Sequence, residues 1–272
     1  MVTSESEAVL ERALNCLETR VAQPLTGPET LEWSERCVEV PWVSAHIRNA
    51  KNILDVGWTM APPEWLGVLL ACRRSGSQLR GIDIIDPYRV RTRFPTSMLA
   101  EIDAVPVDIE DILVYEPDGS DFDLLTCIST LEHIGFDEAT PEDIVDTVFQ
   151  RPLTAEDAQP HRSPETDTEF LNAAVRLLQP GGRLLLTVPA GANRPVLKQD
   201  SLGRYTYFFE YGQSTWQHIL EDARFAVTDS AYFTWSAENG WHEKPSIQDL
   251  AHQASDLQPF ALGCACVELT LL

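Results

Sequence analysis

Two unbroken apolar runs, DLLTCI at 123–128 and RLLLTVP at 183–189, constrain the fold of this chain most. Neither alternates with polar residues, so neither suits a sheet with one wet face. Each reads as a strand buried on both faces, the condition of a parallel sheet flanked by helices. Between them, apolar side chains at 170, 171, 174, 175, 177 and 178 follow a helical spacing, and Gln179-Pro-Gly-Gly182 stops that helix. The same rhythm runs through most of the chain. Strand-like 53–56 precedes helical 64–73, 79–85 ends at Asp86-Pro87, and 104–107 is short. A helix over 216–222 and strands over 225–233 and 264–272 close the chain, the last two free to pair antiparallel. Alternating elements of this kind predict an α/β, doubly wound, mostly parallel sheet.

Ahead of the sheet, Val9, Leu10, Ala13, Leu14 and Leu17 form a helical stripe, and a second helix is expected over 29–38, ended by Pro41. This divides the chain into an N-terminal helical cap, 1–50, and a main domain, 51–272. One segment breaks the rhythm. Residues 137–169 hold ten acids and two arginines between the fourth strand and its helix, too long for an ordinary connection and lid-like in position.

Charge narrows the partners. With 42 acids against 20 Lys plus Arg, the net charge of −22 repels phosphate backbones and anionic membranes, which argues against nucleic acid and membrane partners. The N-terminus lacks the basic start and apolar run of a signal peptide, and six cysteines form no CxxC pair. Cys264 and Cys266 fall on one face of a strand, where adjacent burial is expected rather than a bridge. The expectation is reduced thiols and a cytoplasmic location; His161 has no partner at metal-ligand spacing, so no metal site is expected.

The loop after the first strand carries the chemistry. In "NILDVGWTMAPPEW" (52–65) the strand ends at Asp55 and turns at Gly57, where ligands of open α/β sheets bind. A dinucleotide needs backbone N–H groups and close approach there. Pro62 and Pro63 remove two donors, and Trp58 and Met60 add bulk. Pro63 suits the first turn of a helix. The loop is poor for phosphate but open to a ligand without one.

Four stretches, in order, resemble the class I S-adenosylmethionine (SAM)-dependent methyltransferases: ILDVG (53–57), LRGIDIID (79–86), VDIEDI (107–112) and FDLLTCISTLEHIGF (122–136), the last followed by LLQPGGRLLLTVP (177–189). The resemblance implies a seven-stranded Rossmann-like methyltransferase fold with N-terminal helices and an insert after strand four. It implies SAM as cofactor, held by Asp55, Gly57, Asp83, Asp108, Ile109 and Ser129. Where the family continues with further glycines, this chain has Trp58-Thr59-Met60.

Asp83 and Asp86 compete for the ribose hydroxyls; Asp83 lies within the strand pattern and is preferred, while Asp86 before Pro87 reads as turn chemistry. Glu132 and His133 follow the fourth strand, where the transferred methyl should lie. His133 can take a proton from an acceptor near neutral pH, or simply pack the following turn. Glu132 can hold a cationic substrate or bond to backbone. Tyr205 and Tyr207 are expected either to face substrate or to join an aromatic core. Trp235, Trp241 and His242 stay undecided between lid and core.

The function expected is methyl transfer to a nitrogen or oxygen of a small polar molecule, such as a sugar or amino sugar of a natural product. A nicotinamide oxidoreductase and a non-catalytic SAM-fold binding module remain as rivals, and a homodimer is left open.

Overall fold

The computed structural model describes residues 4–117, 122–136, 162–199, 205–251, 255, 258 and 260–272. Most of the lid-like insert, 137–161, lies outside the described residues.

Helix α1 (Glu5–Thr19) opens with a capping box, Ser4 accepting from the Glu7 N–H while Glu7 reaches back to Ser4. Helix α2 runs over Arg36–Ile47 rather than 29–38, and Pro41 lies inside it instead of ending it. The interior proline is tolerated because the carbonyl it strands has another donor: the Leu25 N–H bonds to Cys37 O at 2.9 Å. Eleven of the twelve α2 residues are buried, so packing outweighs the local penalty.

The main sheet has eight strands in the order β3-β2-β1-β4-β5-β10-β8-β9. These are β1 (Asn52–Val56), β2 (Gln78–Asp83), β3 (Val107–Ile109), β4 (Phe122–Ile128), β5 (Leu178–Pro189), β8 (Phe225–Ser236), β9 (Gly240–Lys244) and β10 (Gly263–Leu271). Strands β1 to β5 are parallel; β10 runs antiparallel to both β5 and β8, and β9 antiparallel to β8. This is the doubly wound Rossmann-like arrangement, with one strand more than the seven expected. The extra strand, β9, is a five-residue hairpin return whose sequence, GWHEK, carries too little apolar pattern to announce itself. The third strand sits at 107–109, not 104–107, because Ala104 and Val105 still belong to the turn that leaves Ile102.

Helices α3 (Pro63–Arg74), α4 (Thr166–Leu177) and α5 (Gln213–Leu220) complete the layers. The two faces of the sheet bury separate cores. One joins Ile53, Leu124 and Leu185 to α1, α2 and α3; the other joins Leu54, Leu125 and Leu186 to α4 and α5. A second sheet, β6 (Arg194–Gln199) with β7 (Tyr205–Glu210), stands after β5. Trp241 is fully buried with its indole N–H on Trp33 O at 2.9 Å, so it is core. Cys264 and Cys266 are buried and free, their sulfurs 3.8 Å apart. Among the described residues no helix is long and apolar enough to cross a membrane.

Candidate functional site

The candidate cofactor residues Asp55, Gly57, Asp83, Asp108, Ile109 and Ser129, with Glu132 and His133, gather at the carboxyl ends of β1, β2, β3 and β4. Gly57 is left-handed, φ 86°, and its N–H donates to Ile82 O at 2.9 Å. A Cβ there would stand 2.3 Å from Thr130 Oγ1, so only glycine lets the loops after β1 and β4 meet. Residues Trp58–Met60 then form a single 3₁₀ turn.

That turn explains the missing glycines. The Trp58 ring is fully buried against Gly81 of β2, where a Cβ would lie 2.5 Å from Trp58 Cγ. Trp58 Nε1 has no hydrogen-bond partner among the described residues. Thr59 donates its N–H to Asp83 Oδ2 at 2.9 Å and its hydroxyl to Ile85 O at 2.7 Å. Asp83 Oδ1 accepts from the Ile85 N–H at 2.9 Å. The Asp83 carboxylate therefore clamps the loop, and burial pushes its pKa up to about 6.

Asp55 lies deeper. Its Oδ1 accepts from Trp65 Nε1 at 2.9 Å and Thr126 Oγ1 at 2.7 Å, tying β1 to α3 and β4. Its Oδ2 has no partner among the described residues, and burial raises its pKa to about 7. Asp108 bonds Arg80 at 3.2 Å and the Tyr115 hydroxyl, while Ile109 beside it is 56% exposed.

Beyond β4 the chain is strained. Ser129 adopts φ 45°, a conformation non-glycine residues seldom hold. Its hydroxyl donates to Glu39 Oε2 at 2.8 Å, and Thr187 Oγ1 donates to the same oxygen at 2.6 Å. Arg36 pairs with the other oxygen. Glu39, fully buried on α2, thus fastens the N-terminal helices to the ends of β4 and β5. Sequence reasoning missed it, although an acid inside the apolar run CVEVPWV was a signal.

Glu132 and His133 form the rim. Glu132 is 2% exposed, with Oε2 unpartnered among the described residues, and burial, aided by Glu39 and Glu35 against Arg36, lifts its pKa to about 8. His133 Nε2 stands 3.9 Å from Glu132 Oε1, and its half-exposed ring meets the edge of Phe208 on β7 at 6.4 Å. The insert leaves here and returns close by. Phe136 and Arg162 form a β-bridge, and Arg162 Nη2 donates to Asp167 Oδ1 at 2.8 Å and the Tyr211 hydroxyl at 2.9 Å. Tyr205 and Tyr207 belong to β7 by backbone; their side chains lie outside the described residues.

These carboxyls set a pH dependence. Glu132 titrates near 4.5 when unperturbed and near 8 when buried, so the folded state binds the extra proton and stability falls as pH rises between those values. Asp55 and Asp83 carry the same sign. The melting temperature should fall from about pH 5 to about pH 8, and Glu132→Gln should be the more stable form at pH 8 by roughly 2 kcal/mol. A Gln variant no more stable than wild type at that pH would contradict the assignment.

Among the described residues, two hollows are compared. The larger, about 430 Å³, lies beside Gly27, Trp241 and Glu243 at the β9 edge, lined by none of the strand-end acids. The smaller, about 260 Å³, is lined by Trp58, Asp86, Tyr88, Phe94, Val107 and Ile109, at the ends of β2 and β3. Ligands of open α/β sheets bind at such ends, which makes the smaller hollow the candidate site. Its walls are apolar and aromatic with an acid at the rim, which fits an uncharged nucleoside. The buried acids Asp55 and Glu132, each with one oxygen unpartnered among the described residues, suit a neighbouring positive charge. A SAM-like cofactor therefore fits the residues present.

No protein-family model matches the chain, and no curated protein matches it in sequence. Solved structures do match in fold. A SAM-dependent methyltransferase from Methanosarcina mazei superposes with TM-score 0.51 at 14% identity, over 85% of this chain and 96% of that one. The N-methyltransferase NodS from Bradyrhizobium japonicum matches at TM-score 0.45 and 13% identity, over 96% of this chain and 98% of that one. An amino pentose methyltransferase from Micromonospora echinaspora, involved in calicheamicin biosynthesis, matches at 0.45 and 11%, over 100% and 93%. At 14% identity the likeness to the Methanosarcina mazei structure shows the fold alone, a Rossmann-like sheet of the class I methyltransferase type.

Proposed function

We propose that this protein is a SAM-dependent methyltransferase acting on a nitrogen or oxygen of a small polar molecule, with an amino sugar as the favoured class of acceptor. The observation that carries this reading is the convergence of a nucleoside-sized hollow and buried acids at one sheet edge of this fold. SAM would supply an electrophilic methyl on a sulfonium. The protein's share is alignment of the acceptor, with water kept out, and management of one proton.

His133 is the proton acceptor in this reading, being the half-exposed titratable group at the mouth of β4. Phe208 packs edge-on against it and limits its swing. Glu132, buried behind, becomes a favourable neighbour once a positive charge lies close, because such a charge lowers its raised pKa. Gly57, Asp83, Ile109 and Ser129 shape the cofactor edge, and Asp55 holds that edge rigid from below. Tyr205 and Tyr207 remain proposed substrate contacts. The acidic stretches 101–123 and 137–169, with nine and ten acids, favour a cationic acceptor over an anionic one.

Incubation with SAM and a panel of amino sugars, neutral sugars and anionic sugars, followed by mass spectrometry, tests the proposal. Methylated amino sugar is the expected product, with kcat/KM falling as salt rises. A preference for anionic acceptors would reverse the charge argument, and no methylated product with any acceptor would favour a binding module instead.

A further inference from the structure

Glu132 and His133 stand on one 3₁₀ turn, Leu131–His133, closed by the His133 N–H on Thr130 O at 2.9 Å and the Ile134 N–H on Leu131 O at 3.1 Å. A single turn does not keep its shape unaided, because fixing it costs more order than its hydrogen bonds return. Its support lies underneath, where the chain returns from the insert.

The Arg162 side chain is 5% exposed, and it donates from Nε to Ile134 O at 2.9 Å and from Nη2 to Leu131 O at 3.2 Å. Those two carbonyls flank Glu132 and His133 on either side. The guanidinium is itself fixed. Nη2 also donates to Asp167 Oδ1 at 2.8 Å and to the Tyr211 hydroxyl at 2.9 Å, and that hydroxyl donates to the same Asp167 oxygen at 2.8 Å. Asp167 belongs to the first turn of α4, and the fully buried Tyr211 donates its N–H to Pro189 O at the end of β5. The Phe209 ring covers the guanidinium at 5.0 Å, while Phe208, the preceding residue of β7, meets His133. Gly135 completes the support. Its φ is 84°, and a Cβ there would collide with the Thr166 side chain, so the chain leaving the turn lies directly on the start of α4.

We propose that Arg162 is the positioning residue of this rim: it sets where the Glu132 carboxyl and the His133 imidazole point, and so where an acceptor can lose its proton. A lysine would carry the same charge. Its single ammonium cannot serve two carbonyls of the turn and the Asp167 carboxylate together, as the planar fork of a guanidinium does. The described end of the insert thereby acts on the site from below. The catalytic consequence rests on the reading of His133 as proton acceptor, but the orientation is measurable without turnover.

NMR of full-length protein tests it, with the His133 signals assigned by their absence in His133→Ala. In Arg162→Lys the His133 ring resonances should shift, and hydrogen exchange at the His133 and Ile134 amides should quicken about tenfold or more. Tyr211→Phe, a milder variant that withdraws one partner of the guanidinium, should move both readouts in the same direction by less. Arg183 binds Ile47 O at the end of α2, so Arg183→Met should lower stability yet leave the His133 ring resonances in place. Unchanged His133 signals in Arg162→Lys or in Tyr211→Phe, or an equal shift in Arg183→Met, would overturn the assignment. If the signals move as expected while His133→Ala keeps full turnover, only the reading of His133 as proton acceptor falls; if they do not move, only the role of Arg162 falls.

Discussion

Arg183→Met is expected to destabilise the protein by about 3 kcal/mol, measured by denaturant unfolding. Arg183 on β5 lies under the end of α2, where it donates to His46 O and, at 2.9 Å, to Ile47 O. It also pairs with Glu268 of β10 at 2.8 Å. Glu268 is fully buried, and its other partner, Arg48, is 48% exposed. Removing Arg183 leaves a buried carboxylate with one solvated partner and takes the donors from the last carbonyls of α2. The arrangement also predicts a rescue. Replacing Glu268 by Leu in the same chain removes the uncompensated charge, so the double variant should recover a large part of the loss. A single-variant effect below about 1 kcal/mol would mean that the α2–β5–β10 junction is held by apolar packing alone.

His133→Ala is expected to lower kcat by roughly a hundredfold to ten-thousandfold while leaving SAM affinity within a few-fold of wild type. The imidazole stands at the rim after β4, edge-on to Phe208 and 3.9 Å from Glu132, whereas the nucleoside hollow lies at β2 and β3. A group that takes the acceptor's proton should affect turnover and the pH–rate profile, and a group that packs a turn should affect stability. The pH profile separates the two. Wild-type kcat should rise with pH through the histidine range, and the alanine variant should lose that limb. Equal loss of SAM binding and of kcat would place His133 in the scaffold.

The fold was legible where burial on both faces leaves an unbroken apolar signature, as in DLLTCI and RLLLTVP, which became β4 and β5. It was illegible where partners far along the chain decide the outcome. Pro41 reads as a stop until the Leu25 N–H is seen to satisfy the stranded Cys37 carbonyl. The β6–β7 hairpin and β9 rest on pairing rather than on pattern, so their mixed sequences gave no periodicity. In the site, Asp55, Gly57, Asp83 and Asp108 were singled out by the motifs they share with the resembled family, and the structure places them at the carboxyl ends of β1, β2 and β3. Their division of labour was not legible. Whether an aspartate clamps a loop or faces a hollow depends on where Trp58 comes to rest, and that depends on the missing side chain of Gly81. Glu39 escaped for the same reason, since its partners Ser129 and Thr187 are 90 and 148 residues away.

Direct titration of the purified full-length protein with SAM, run in parallel with NAD, tests the central claim most simply. The account predicts a saturable signal with SAM that S-adenosylhomocysteine displaces, and none with NAD, because Pro62 and Pro63 remove two of the N–H groups a pyrophosphate needs. Binding of NAD, or failure to bind SAM under conditions where the protein is folded, would contradict it.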